Sequence, residues 1–525
     1  MRPIVRPRDE YDVTDAGEAV GAGGRAPRPS TSVAGAAAVG LVVALGLVLR
    51  FVTTSDLWLD EALTVNIADL PLGEIGDALR RDGHPPLYYW LLHGWMELFG
   101  TGDVAVRALS GVFAVLALPV AWLAGRHLGG RSVAWTALVL LAANPFAIRY
   151  ATEARMYSLV VLLVLVGLVA IGRALDAPRP GRLALVAAVA GALVLTQYWA
   201  FYLLVATVGV LALRGWRGTG RGAARRVVLA VAVGCLAFLP WLGGFAYQLD
   251  HTGTPWAKGT RLVDASLKTV GDWGGGSLAP MRALGLAIIV LALVASVAAL
   301  RRVRSSLTTD PEVLAVAFVA SVTMALGIGV GFVTASAFAS RYTAVAFPLV
   351  VLLASVGLGA VTRSGLRTAA MVGLVALGLL GLQRNVVVNR TQGGEIAAAI
   401  RDEGEPGDVV AYCPDQLGPS VSRHLGPSFV QTTFPAGAAP AFVDWVDYAE
   451  RNEAGDPDAF AEEVLRRAGP GRDIWLVWAS NYRTLDKKCE ALADELTSDG
   501  RKAVEVVQRD QDIRERQNLI RYPAP

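Results

Sequence analysis

The sequence predicts a polytopic α-helical membrane protein with a small α/β domain at its C-terminal end. Hydrophobic residues make up 54% of the 525 residues and charged residues only 18%, which is too apolar for an ordinary water-soluble protein. Many apolar runs are long enough to cross about 30 Å of hydrocarbon, which takes roughly 20 helical residues. Residues 385–525, by contrast, have the composition of a soluble domain.

We interpret eleven apolar runs as membrane spans. The stretch from 183 to 213 could be divided differently, because Gln197, Tyr198 and Trp199 interrupt it. None of the spans contains Asp or Glu, which argues against an ion-coupled transporter. The runs lie at about 33–53, 105–126, 133–148, 156–173, 183–196, 198–213, 227–247, 280–300, 313–334, 343–361 and 368–383.

Arginine is concentrated in alternate short loops, such as the one with Arg301, Arg302 and Arg304. Cytoplasmic loops of membrane proteins carry an excess of Arg and Lys. We therefore expect these loops, and the basic, disordered-looking tail of residues 1–32, on the cytoplasmic side. The expected membrane is the plasma membrane. The net charge of +3 is too small to indicate a nucleic-acid partner. Eleven crossings then place three segments on the outer face: 54–104, 248–279 and 385–525.

The outer C-terminal segment alternates strand and helix patterns, which is typical of a small α/β domain. Cys413 and Cys489 are its only cysteines. They could form a disulfide in an oxidising compartment, or they could be unrelated. Strands are predicted at 408–412 and 473–478, and helices at 458–468 and 487–498.

The segment after the first span is acidic. Asp60 and Glu61 lie near Trp58 at the expected outer membrane surface, where a partly desolvated carboxylate can act as a general base for a hydroxyl. Adjacent residues on a helix point about 100° apart, so the two carboxylates need not share one task. Alternatively, Asp56 or Asp60 could simply cap the helix that is predicted to follow.

The same outer loop contains the aromatic sequence HPPLYYW at residues 84–90. Its prolines fix the start of an apolar helix at the membrane interface, where Tyr and Trp are favoured. We therefore expect Tyr88, Tyr89 and Trp90 to contact lipid. His84 could donate a hydrogen bond to a phosphate, or it could merely cap the helix.

Three arginines, Arg149, Arg155 and Arg341, lie at the outer membrane edge, against the usual charge bias. Arginine in this position needs an anionic partner, and a lipid phosphate fits. The alternatives are an ion pair with Glu153 or extension of the side chain to lipid head groups.

Together these features resemble the glycosyltransferase C superfamily, integral-membrane enzymes that use polyprenyl-phosphate-linked sugars. The resemblance covers about residues 33–350 and is closest to the branch with protein O-mannosyltransferases and the aminoarabinose transferases of lipid A. It rests on the order of an acidic pair, the HPPLYYW segment and a helix ending in Gly-Arg-His-Leu-Gly-Gly. The matching residues are Asp60 and Glu61, Pro85 to Trp90, Arg107 to Arg126, and Arg341 and Tyr342 leading to Pro348.

In that family the first outer loop carries the catalytic Asp, so the resemblance assigns catalysis to Asp60, with Glu61 beside it. Asp60 would take the proton of the acceptor hydroxyl while the sugar is transferred with inversion. We expect no cofactor and no required metal, because the sequence shows neither a nucleotide-binding glycine loop nor a cluster with metal-ligand spacing. The residues expected to bind the donor phosphate are Arg341, Arg155, Arg149 and His84, and those expected to contact lipid or substrate are Trp58, Tyr88, Tyr89, Trp90 and Tyr342.

The chain lacks the large inserted lumenal domain of protein O-mannosyltransferases and looks more like actinobacterial members that build envelope glycans. The expected acceptor is therefore an envelope glycan or glycolipid, and the outer C-terminal domain is expected to help bind it. Mannose is the expected sugar, with arabinofuranose as the alternative. A lipid-linked-sugar flippase and a non-catalytic envelope scaffold are the competing interpretations.

Overall fold

The computed structural model describes residues 33–217, 220–253, 259–304, 311–480, 482–498 and 500–525. The predicted cytoplasmic tail of residues 1–32 lies outside these described residues. Residues 42–525 form one compact unit, in which a helical part is followed by a segment that contains a β-sheet.

The first two thirds of the described chain are helical. Two short 3-10 helices, Leu236–Trp241 and Ser340–Val345, continue the path between α-helices. The α-helices are α1 Val33–Leu49, α2 Leu59–Ala68, α3 Leu72–Asp82, α4 Leu87–Phe99, α5 Asp103–Ala143, α6 Pro145–Ala151, α7 Tyr157–Asp176, α8 Pro180–Val194, α9 Ala200–Arg217, α10 Arg221–Cys235, α11 Leu242–His251, α12 Leu262–Trp273, α13 Ala279–Arg304, α14 Pro311–Val333, α15 Phe347–Gly359 and α16 Ser364–Val387.

Within the described ranges, six helical runs are long and apolar enough to cross a membrane: α5, α7, α10 to α11, α13, α14 and α16. Four shorter apolar helices, α1, α8, α9 and α15, coincide with further predicted spans. Helix α5 covers two predicted spans, and its backbone breaks between them at Gly129 and Gly130. Gly130 has a φ of +76°, which a residue with a side chain would adopt only with strain. The count of eleven crossings stays a prediction.

The chain between α3 and α4 turns sharply where the HPPLYYW segment begins. Helix α3 ends at Gly83, whose φ of +88° is the left-handed conformation that closes many helices. Helix α4 then starts at Leu87, directly after two prolines. His84 is thereby held at the corner between α3 and α4.

The C-terminal segment is built around a five-stranded mixed sheet. Its elements are α17 Gly393–Glu403, β1 Val409–Cys413, α18 Gly418–Ser422, β2 Val430–Thr433, α19 Tyr448–Ala454, α20 Pro457–Ala468, β3 Ile474–Trp478, α21 Lys488–Ser498, β4 Val504–Val507 and β5 Asn518–Tyr522. The strand order is β2-β1-β3-β5-β4. Strand β1 pairs in parallel with β2 and β3, whereas β5 pairs antiparallel with β3 and β4.

Both faces of this sheet are covered, as the alternation of β1 shows. Val409 and Ala411 belong to one hydrophobic core, together with Phe460 of α20, whereas Val410 belongs to a second core with Ile396 of α17. The four strands and helices predicted in this segment correspond to β1, β3, α20 and α21. Cys413 and Cys489 form a disulfide between β1 and α21.

Candidate active site

Helix α2 carries the two predicted catalytic carboxylates in its first turn. The residue before the helix is Trp58, and its side chain does not cap the helix. The alternative that Asp56 or Asp60 caps α2 is therefore wrong. Instead, Glu515 of the C-terminal segment accepts a hydrogen bond from the Leu59 N–H through Oε2 at 3.1 Å. A distant residue thus satisfies a donor at the start of the helix.

Asp60 faces a partly open space beside Arg341. Its Oδ2 lies 3.0 Å from Arg341 Nη2, and 17% of its side chain is exposed. Its position in the first turn of α2 is favourable for a negative charge, because backbone N–H groups point towards the helix start. One oxygen of Asp60 is paired with arginine, and the side chain keeps exposed surface.

Glu61 has the opposite environment, because it is fully buried. Arg107 donates to it twice, from Nε to Oε1 at 2.7 Å and from Nη2 to Oε2 at 2.6 Å. The Ala154 N–H donates to Oε1 at 2.9 Å. Both carboxylate oxygens of Glu61 therefore accept hydrogen bonds in a bidentate ion pair with Arg107.

Glu61 belongs to a larger set of charges, all buried except the partly exposed Arg149, which we call the buried ion network: Glu61, Arg107, Arg149, Glu153 and Arg390. Arg390 Nη1 lies 3.5 Å from Glu61 Oε2 and 3.7 Å from Glu153 Oε1, and Arg149 Nε donates to Glu153 Oε1 at 2.8 Å. Burial raises the pKa of Glu153, but Arg149 and Arg390 outweigh burial and lower it to about 2. Arg149 is thus paired with Glu153, as one sequence alternative expected.

Arg155 and His84 are joined in a second chain of contacts. Arg155 Nη1 donates to Thr64 Oγ1 at 2.6 Å, and its Nη2 lies 2.8 Å from His84 Nε2. Because arginine can only donate, His84 accepts at Nε2 and donates from Nδ1 to Asp82 Oδ2 at 2.8 Å. Burial raises the pKa of Asp82, but His84, Arg155 and a hydrogen bond from Tyr89 outweigh it, so that the pKa is lowered. Both ring nitrogens of His84 therefore have protein partners.

Arg341 is buried but incompletely paired. Only its Nη2 reaches Asp60, while Nε and Nη1 are buried without a hydrogen-bond partner among the described residues. Its guanidinium carbon lies 5.6 Å from the Trp58 ring centroid and 5.9 Å from that of Tyr342. Buried donors without an acceptor are rare and costly, so an anionic ligand is the natural partner for these N–H groups.

The predicted lipid-contacting aromatic residues divide into two groups. Trp90 is 41% exposed and Tyr342 is half-buried. Tyr88 and Tyr89 are fully buried, with hydroxyls bonded to Ser110 and Asp82 at 2.8 Å. The expectation that these two tyrosines contact lipid is therefore wrong for this structure, because they turn towards the protein, where their hydroxyls find partners. Trp58 is also buried, beneath Arg341.

Four residues at the site were not predicted: Arg107, Arg390, Arg514 and Glu515. Arg107 opens the helix quoted for the family resemblance, but the sequence does not show that it contacts Glu61. Arg514 and Glu515 lie in a charged run, Asp512 to Arg516, that is typical of a solvated surface. Their contacts span between 46 and 456 residues, which leaves no local pattern, so no signal in this single sequence could have identified them.

One group of three side chains in the described ranges could hold a metal ion: Asp56, Asp103 and His424, whose ligand atoms lie within 4.8 Å of one another. Arg423 already pairs with Asp103 Oδ1 at 3.2 Å. Asp56 and Asp103 also line a cavity of about 210 Å³ with Arg107. The group is therefore a place at which the expectation of no metal can be tested.

Comparison with known proteins relates this architecture to sugar-transferring membrane enzymes. Residues 83–243 match the family model described as dolichyl-phosphate-mannose-protein mannosyltransferase, and no curated protein matches the chain. The apo crystal structure of ArnT from Cupriavidus metallidurans is 16% identical with a TM-score of 0.61, and the match covers 93% of this chain and 98% of ArnT.

Two further structures share the fold. ArnT bound to undecaprenyl phosphate is 16% identical with a TM-score of 0.59, over 92% of this chain and 98% of ArnT. The Archaeoglobus fulgidus oligosaccharyltransferase tethered with an acceptor peptide is 11% identical with a TM-score of 0.55, over 89% of this chain and 72% of that protein. The resemblance inferred from the sequence is confirmed: the chain is a multi-pass membrane protein with the glycosyltransferase C fold.

Proposed function

We propose that this chain is an inverting glycosyltransferase that moves mannose from a polyprenyl phosphate to an envelope glycan or glycolipid on the outer face of the plasma membrane. The proposal is carried by the Asp60 carboxylate and the Arg341 guanidinium, 3.0 Å apart, with two buried Arg341 donors unpaired. The ArnT structure with undecaprenyl phosphate supports the donor class, and the name of the matching family model supports mannose.

The proposed step forms one bond and breaks one. The acceptor hydroxyl oxygen attacks the anomeric carbon and gives its proton to Asp60, while the bond from that carbon to the phosphate oxygen breaks. The polyprenyl phosphate leaves with a second negative charge. A fixed cation near this phosphate therefore stabilises the transition state more than the bound donor. Arg341 has the free N–H groups for this role.

The predicted residues then receive different roles. Asp60 is the base, because it alone of the two carboxylates keeps exposed surface. Glu61 holds Arg107 and the start of α5 in place. Arg149, Arg155 and His84 act behind Arg341, since their hydrogen-bonding groups are largely engaged by protein partners. Trp90 and Tyr342 contact lipid or substrate.

The C-terminal segment belongs on the outer side in this proposal. Its disulfide between Cys413 and Cys489 fits an oxidising compartment. Its residue Glu515 bonds the helix that carries Asp60, so the segment and the catalytic loop lie on one side. The N-terminal tail is then cytoplasmic, as the arginine bias predicts.

Sugar transfer by the purified full-length protein tests the function. Radiolabelled polyprenyl-phosphate mannose or arabinose is supplied with an envelope-lipid extract, and wild type is compared with Asp60→Asn. We expect the variant to lose transfer by about 100-fold or more while its melting temperature is unchanged. Asp69→Asn, at the exposed other end of α2, is the matched control and should retain activity.

Other results would redirect the proposal. Full activity of Asp60→Asn would exclude Asp60 as the base. Transfer of arabinose but not mannose would correct the sugar. Transfer from neither donor would favour the flippase or scaffold interpretation.

A further inference from the structure

The loop between β4 and β5, residues 508–517, reaches from the sheet to the proposed donor site. Glu515 fixes the loop there through four hydrogen bonds. Its Oε2 accepts from the Leu59 N–H at 3.1 Å, and its Oε1 accepts from Ser420 Oγ at 3.0 Å. Its N–H donates to the Arg390 carbonyl at 2.9 Å, and its carbonyl accepts from the Gln392 N–H at 3.3 Å. This part of the loop therefore has a defined position beside α2.

The residue before this anchor, Arg514, brings a further cation to the site. Its guanidinium carbon lies 4.3 Å from the Trp58 ring centroid, and that of Arg341 lies 5.6 Å from the same centroid. The two distances limit the separation between the two guanidinium carbons to 9.9 Å. Stacking on Trp58 fixes both charges without using their N–H donors.

Arg514 has no anionic partner of its own within the part of the chain that the structure describes. Among the residues that the structure describes, no hydrogen bond or ion pair engages its guanidinium, and its side chain is exposed. Two cations held this close favour an anion between them.

The other candidate cations are less available. Arg149 is paired with Glu153, and Arg155 bonds Thr64 and His84. Among the described residues, Arg341 and Arg514 both contact the Trp58 ring and keep N–H groups without a protein partner. A phosphate that gains a second negative charge as it leaves would be bound by both guanidinium groups.

We propose that Arg514 binds the phosphate of the polyprenyl donor together with Arg341, so that the C-terminal segment completes the donor site. The inference rests on the proposed function. It adds a role to the segment, which the sequence associated only with the acceptor. It also gives the Glu515 anchor a purpose, because Glu515 holds the neighbouring Arg514 over Trp58.

Binding of undecaprenyl phosphate to the full-length protein in nanodiscs tests the inference without knowledge of the sugar. Quenching of tryptophan fluorescence provides the titration. We expect Arg514→Ala to weaken binding by about tenfold or more and Arg514→Lys to restore part of it, because charge-assisted hydrogen bonds to phosphate are lost or retained. Arg516→Ala is the matched control, since among the described residues Arg516 bonds only within its own loop, to Ile513 and Gln511. It should bind as wild type does.

The outcomes separate the two proposals. Unchanged binding by Arg514→Ala, with transfer that still requires Asp60, would overturn the inference alone. If Arg514→Ala binds more weakly but transfer does not require Asp60, the phosphate site is supported and the proposal that Asp60 is the base is overturned. Equal weakening by Arg516→Ala would show a general effect of charge and overturn the inference. Arg514→Gln, which keeps the side-chain length, replaces Arg514→Ala if the latter has a lowered melting temperature.

Discussion

Asp60 and Glu61 are adjacent in sequence but lie in two regions that differ in how far their charged groups are buried and paired. In the buried ion network, Glu61 is fully enclosed and both its oxygens are bonded to Arg107. Around Trp58, Asp60 is partly exposed and Arg341 keeps two buried donors without partners. A satisfied charge network holds structure, whereas unsatisfied donors indicate where a ligand binds. The type of residue alone does not separate these roles.

The largest expected effect is on stability, in the buried ion network. Glu61→Gln leaves Arg107 buried without its ionic partner, which should cost about 3–5 kcal/mol of unfolding free energy. Thermal unfolding of the purified protein should show a large fall in melting temperature or a failure to accumulate. Asp60→Asn is the control and should melt like wild type. Equal melting temperatures for Glu61→Gln and Asp60→Asn would contradict the proposed difference between the two regions.

The next effect is on catalysis, around Trp58. Arg341→Ala should lower kcat by about 100-fold, which is typical for loss of one fixed donor to a developing negative charge. The stability of this variant should change little, because the Arg341 atoms Nε and Nη1 have no hydrogen-bond partner among the described residues. Single-turnover transfer and thermal unfolding measure the two quantities. Arg149→Ala is the matched comparison: we expect it to lose stability, since its partner Glu153 stays buried.

A smaller effect concerns the contact between the two parts of the chain. Burial raises the pKa of Glu515 to about 7, and hydrogen bonds from Thr391, Ser420 and Leu59 only partly offset this. The folded protein therefore binds this proton more tightly than the unfolded chain. The contribution of Glu515 to stability should be fully present below about pH 4.5 and should decrease as the pH rises towards 7.

Melting temperatures from pH 4.5 to 8 test this prediction. Glu515→Gln removes the titrating group. The melting temperature of this variant should therefore change less between pH 4.5 and 7 than that of wild type. Glu505→Gln, in exposed strand β4, should leave the wild-type profile intact. Identical profiles for wild type and Glu515→Gln would contradict the assignment of this slope to Glu515.

The smallest expected effect is that of metal removal. Transfer should continue in excess EDTA, because the proposed step uses Asp60 and arginine cations only. A loss of transfer that Mn²⁺ or Mg²⁺ restores would contradict this. In that case Asp56→Asn would identify the group of Asp56, Asp103 and His424 as the metal site by removing the response to the ion.

The sequence predicted the parts of the site that depend on local pattern. Asp60 after a span, the proline corner at His84 and Arg341 at a membrane edge are each visible within a few residues. It could not separate Asp60 from Glu61, because the difference is made by Arg107, 46 residues away. It placed Tyr88 and Tyr89 on the lipid side, since aromatic residues in an apolar helix look alike on either face.

For the fold too, the sequence predicted what depends on local pattern and not what depends on distant contacts. Apolar runs and strand patterns predicted the helices and the C-terminal sheet segments, since these depend on local periodicity. The contribution of Arg514 and Glu515 depends on a loop folding back to helix α2, and no periodicity records that contact. Their charges were therefore indistinguishable from those of an ordinary solvated turn.

The bond between Glu515 and Leu59 also has a consequence for biogenesis. Its two partners are 456 residues apart, so the ribosome must synthesise all the residues between them before helix α2 can receive this hydrogen bond. Until then, the first turn of α2 would lack the hydrogen bond from the Leu59 N–H to Glu515. Chains truncated before residue 508 should insert but leave α2 open to proteases that full-length protein resists. Sugar transfer by the proposed mechanism would then begin only after residues 508–517 have been synthesised and have folded against α2.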